Sequence, residues 1–164
     1  MKMSPIIHPD TSQTPLWRLP PKRLEYPIRA WRCWAIRHRQ LESVGVPCVW
    51  EGPVIRAHVR PYDPSDWDEK KLTDPWRGGI YALDSVERAC QVAEEYDADA
   101  IGEVDLWGRV VRFEMGYRAE LCMIRRICVR SEFTAIARSL SRQYECDVVV
   151  VPVHKWPSYS PVNT

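Results

Sequence analysis

Across residues 28–36 (IRAWRCWAI), Ile28, Ala30, Arg32, Trp34 and Ile36 fall on one side of a two-residue period, and Arg29, Trp31, Cys33 and Ala35 on the other. A period of two predicts a β-strand. Leu41, Val44, Val46, Val49 and Trp50 predict a further β segment broken around Gly45 and Pro47, and residues 55–59 (IRAHV) predict another. Gly78 and Gly79 form a flexible turn feeding a short apolar strand at residues 80–83 (IYAL). The period then changes: Val86, Ala89, Cys90 and Ala93 share one helical face, with Asp84 or Ser85 as its N-cap.

From Ala100 onward the chain is rich in Val, Ile, Leu, Tyr and Trp and is punctuated by Gly102, Gly108 and Gly116. That pattern predicts three short antiparallel segments, with Trp107 and residues 110–113 in the core. Phe133, Ile136, Ala137 and Leu140 predict a second helix, capped by Ser131 and carrying Glu132 in its first turn, where a negative charge suits the helix dipole. Residues 146–153 (CDVVVVPV) read as a wholly apolar strand, central in the sheet or covered on both faces.

Together these elements predict an α+β fold: a single domain with a mostly antiparallel, twisted β-sheet of about seven short strands and two helices. A chain of 164 residues suits one domain. All 14 prolines lie outside residues 77–130, and proline can neither donate to a strand ladder nor continue a helix. Residues 1–26 are therefore expected to form an irregular arm, residues 27–154 the α+β domain, and residues 155–164 a loose tail. Residues 60–77 hold three prolines and no apolar period. They are expected to form a long connection over a pocket, anchored by Tyr62, Trp67 and Trp76.

Charge narrows the function classes. The 23 Lys and Arg nearly balance the 22 Asp and Glu, for a net charge of +1, so the basic footprint of a nucleic-acid binder is missing. There is no run of about eighteen apolar residues, so no membrane span is expected. Residues 1–15 lack the apolar centre of a signal peptide, and a cytoplasmic location follows as the expectation. The six cysteines include no Cys-x-x-Cys pair, which argues against a structural metal. Cys33, Cys90 and Cys122 sit in apolar patterns and read as small, buried, reduced hydrophobes.

Arg32 is the polar residue on an otherwise apolar strand face. Two readings stay open: its stem covers apolar surface while its head reaches water, or its head is aimed into a cleft. Farther on, GIYALDSVERACQVAEEY, then AIGEVDLWGRV, then GYRAELCMIRRICV resemble the core of ADP-ribosyltransferases of the diphtheria-toxin and poly(ADP-ribose) polymerase type. The resemblance covers residues 78–129. It is also similar to uncharacterised small proteins of actinobacteria and their phages, which carry the same GIYA, LWGRVV and GYRAE stretches.

The resemblance implies NAD as cofactor, with Tyr81 as a stacking face for nicotinamide and Gly79 letting the backbone approach its carboxamide. It also implies Arg32 as the first-strand residue holding the nucleotide, and Glu120 as the catalytic carboxylate that stabilises an oxocarbenium-like transition state. Arg118 stands two residues before Glu120, where arginine-directed transferases carry Glu or Gln, so transfer to arginine is not expected. The competing reading is a protein-interaction module without catalysis. Eight tryptophans and many arginines suit it, because these residues dominate interface hot spots. If the first reading holds, Arg32, Tyr81 and Glu120 should converge on one cleft.

Overall fold

The computed structural model describes residues 22–44, 48–57, 79–152 and 156. Strand β1 (Lys22–Arg37) turns back into β2 (Gln40–Ser43), which pairs with β3 (Val49–Trp50). Next come β4 (Val54–Arg56), β5 (Ile80–Leu83), helix α1 (Val86–Glu95), and the long strands β6 (Ala100–Phe113) and β7 (Gly116–Arg130). A 3-10 turn (Ser131–Ile136), helix α2 (Ala137–Tyr144) and β8 (Asp147–Val151) complete the order. This is an α+β fold with one eight-stranded sheet, antiparallel except where β8 runs parallel to β7.

The hairpin of β6 and β7 is the frame. β1 lies along β6, while β5, β4 and β8 dock in succession along the other edge of β7. Pairing also closes on itself, because β5 returns to β1 through Trp31 and Leu83. Ala30 and Trp34 of β1, Val104 and Leu106 of β6, and Cys122, Ile124 and Ile127 of β7 form one buried layer. On the opposite face Cys33, Ile101 and Cys128 are covered by α1, where the Cys33 thiol donates to the Ala89 carbonyl at 3.1 Å.

Local chemistry explains most of these elements. The β1–β2 turn places His38 (φ 49°) and Arg39 (φ 65°) in the left-handed region, as a two-residue hairpin with matching twist requires. Ser85 caps α1, its hydroxyl accepting from the Arg88 amide, and Ala89, Cys90, Val92 and Ala93 form the buried stripe. The helix ends with Asp97 left-handed and the Ala98 amide on the Ala93 carbonyl at 2.8 Å, which satisfies an otherwise orphaned carbonyl. The buried Tyr144 hydroxyl donates to the Trp50 carbonyl at 2.7 Å and accepts from the Leu41 amide at 2.8 Å. That pair ties β2 and β3 to α2.

Several expectations change. The three segments after Ala100 are two long strands, because Gly102 and Gly116 stay within the ladder, which shifts register between Glu103 and Val104 and again around Gly108. Gly102 leaves room for the Trp34 ring, which a Cβ there would meet at 2.8 Å. β1 begins at Lys22, inside the stretch read as an arm. Trp107 is half-buried rather than core; Val110 and Val111 are buried and Arg112 is exposed. The second helix opens as a 3-10 turn without a side-chain cap, and the Ser131 carbonyl instead accepts from the Thr134 hydroxyl at 2.6 Å. The valine run of β8 is not covered on both faces: among the described residues it pairs with β7 alone, and Val149 and Val150 are exposed. Trp156 in the expected tail is buried, its carbonyl accepting from the Cys90 thiol at 2.9 Å. The proposed connection at residues 60–77 lies outside the described residues. Among the described residues, no helix is long and apolar enough to cross a membrane.

Candidate functional site

The GIYA and GYRAE stretches are neighbours in the sheet, with Tyr81 opposite Arg118 and Ile80 opposite Ala119. Cross-strand partners point to one face, so Tyr81 and Arg118 meet. Arg118 is fully buried, and its guanidinium carbon lies 4.0 Å from the centre of the Tyr81 ring. That is close cation–π contact. Its stem runs beside Gly79, which has φ +87°, and a Cβ there would overlap Cγ and Cδ of Arg118. Gly79 is thus needed twice, for a left-handed backbone and for the passage of a side chain.

Glu120 belongs to the LWGR stretch as much as to its own. Trp107 stands opposite Leu121 and Val110 opposite Ala119, so Gly108 and Arg109 together face Glu120 in a bulge. Gly108 takes φ +76° there, the conformation a glycine-first bulge demands. Glu120 Oε2 accepts from the Arg109 amide at 3.2 Å, and Oε1 lies 3.5 Å from Arg56 Nη1. A carboxylate therefore caps the irregularity that its own hairpin creates.

Arg32 sits where β1, β2 and β5 come together. Nη1 donates to the Tyr81 carbonyl, and Nη2 donates to Ser43 Oγ at 2.7 Å. The guanidinium carbon lies 5.0 Å from the centre of the Trp50 ring, and Trp50 Nε1 donates to the same Ser43 hydroxyl at 2.9 Å. Burial lowers the Arg32 pKa from its ordinary value. Of the two readings of Arg32, its head is aimed inward.

The expected site residues come together in part. Arg32 touches Tyr81 through that residue's carbonyl, and Gly79 adjoins the Tyr81–Arg118 contact. By register Glu120 shares a sheet face with Arg118 and Tyr81, but its carboxylate is turned to the bulge and to Arg56. Arg118, noted from sequence only for standing two residues before Glu120, is the residue that organises this end. Its signal was parity: Arg118 alternates in step with Cys122 and Ile124, both buried.

The fit to NAD is poor at the stacking position. Arg118 covers a face of Tyr81, and a cationic nicotinamide beside that guanidinium would be repelled. Among the described residues, no group of three or more His, Cys, Asp or Glu side chains is placed to hold a metal ion. Comparison with family models, with curated proteins and with solved structures returns no match.

Proposed function

We propose that the chain is a binding module without catalysis, the non-catalytic derivative of an ADP-ribosyltransferase-like domain. Glu120 carries this reading. A carboxylate that stabilises an oxocarbenium-like transition state must be free to face the sugar as charge develops. Here its two oxygens are engaged by the Arg109 amide and the Arg56 guanidinium. The GIYA, LWGR and GYRAE stretches are then explained by how they lock together: Gly79 on Arg118, Arg118 on Tyr81, Gly108 on Glu120.

A protein partner is the reading the opposite sheet face favours. Val54, Met123, Asp105 and Arg29 stand in one row across β4, β7, β6 and β1, with Leu121 and Trp107 in the next. Val54 is 48% exposed, and the side chains of Arg29 and Arg125 remain about half open although both pair with Asp105. Half-open tryptophan, aliphatic and arginine side chains side by side are the composition of a protein-docking surface. The balanced charge argues against nucleic acid, and six free cysteines suit a cytoplasmic setting. Incubating the full chain with millimolar NAD and following nicotinamide release tests the proposal. No release above the protein-free rate is expected; release that Glu120→Gln abolishes would overturn it.

A further inference from the structure

We infer that Arg32 is the centre of a binding site for a small oxyanion, phosphate or carboxylate, beneath the β2–β3 hairpin. Three observations converge there. First, Arg32 is a half-buried cation whose Nε is fully enclosed, with no carboxylate partner among the described residues. By contrast Arg29, Arg37, Arg88, Arg125 and Arg130 each reach an Asp or Glu. A guanidinium does not shed its charge in a protein, and a buried charge without a counter-charge is costly. A carbonyl, a hydroxyl and an indole face solvate Arg32 but leave its charge unbalanced.

Second, the thiols of Cys33 and Cys122 do not supply the missing charge. Cys33 and Cys122 are both pushed up to about 12 by burial, so both are neutral at physiological pH. Third, two buried N–H groups on this face lack an acceptor: Nε of Arg32 and Nε1 of Trp34. The two residues are i and i+2 on β1, and both pack on Trp50, Arg32 at 5.0 Å and Trp34 edge-on at 5.4 Å between ring centres. Buried donors almost always have an acceptor. An oxyanion accepts from the guanidinium fork and balances its charge in one step; a water could do only the first. Arg32 also keeps part of its surface accessible, so an ion can approach it with the fold intact.

The test is a titration of the full chain with inorganic phosphate, and separately with acetate, against chloride at constant ionic strength. The indole and guanidinium N–H resonances are followed by NMR. Saturable shifts centred on Arg32 and Trp34, for at least one of the two anions, are expected. Arg32→Lys, which keeps the charge and loses the fork, should weaken binding at least tenfold. Shifts that stay linear with both anions, or that match chloride, would show a solvated structural arginine and overturn the site. Unchanged binding in Arg32→Lys would overturn it equally. Should that variant fail to fold, the wild-type titration decides alone.

Discussion

Glu120 lies against Gly108 across the β6–β7 hairpin, so closely that a Cβ on the glycine would stand 2.9 Å from Oε2. The glycine also holds φ +76°. Gly108→Ala meets both obstacles. The left-handed backbone costs about 1–2 kcal/mol and the crowding about 1–3 kcal/mol more. Urea unfolding should show a loss of roughly 2–5 kcal/mol; a loss below about 0.5 kcal/mol would mean that the bulge is not built as described.

Gly79 and Arg118 should be coupled. Gly79→Ala introduces backbone strain at φ +87° and a clash with the Arg118 stem. In an Arg118→Ala background the clash disappears and only the strain remains. A double-mutant cycle should therefore return an interaction energy of about 1–3 kcal/mol, with the second substitution less harmful than alone. Additive effects would place the Arg118 stem elsewhere.

What the sequence revealed was what depends on near neighbours. The β1 alternation and the Ser85 cap of α1 are set within one strand or one turn, and both were readable. The division after Ala100 was not, because a glycine inside a run of apolar residues looks like a break. Whether it breaks anything is decided far away: Gly102 makes room for Trp34, while Gly108 yields to Glu120. β8 looked like a central strand from its valines, yet its place at the edge depends on which strands claim β7. The burial of Arg118 was not legible, because it depends on Tyr81, contributed by another strand. Arg32 was found as the polar residue of an apolar face, but its link to Ser43 and Trp50 needed the β1–β2 turn.

Stability should fall in alkali. Burial raises the Cys33 and Cys122 thiols from 9.0 to about 12, so the fold holds their protons more tightly than the unfolded chain does. The stabilisation is fully present below pH 9 and is lost as pH rises from there towards 12, by at most about 1.4 kcal/mol per pH unit for each thiol. Urea midpoints should be flat between about pH 7 and 8 and should decline above 9, with a shallower decline in Cys33→Ala. A midpoint constant to pH 10 would indicate that these thiols are not buried.

The most direct test is the equilibrium unfolding of Glu120→Ala beside wild type. A carboxylate that caps the bulge leaves the Arg109 amide without its acceptor when removed, and a loss of about 1–3 kcal/mol is expected. A carboxylate held in place for catalysis behaves the other way, because active-site groups are commonly kept at the expense of stability. Glu120→Ala as stable as wild type, or more stable, would contradict the structural role assigned to Glu120 and return it to the chemistry.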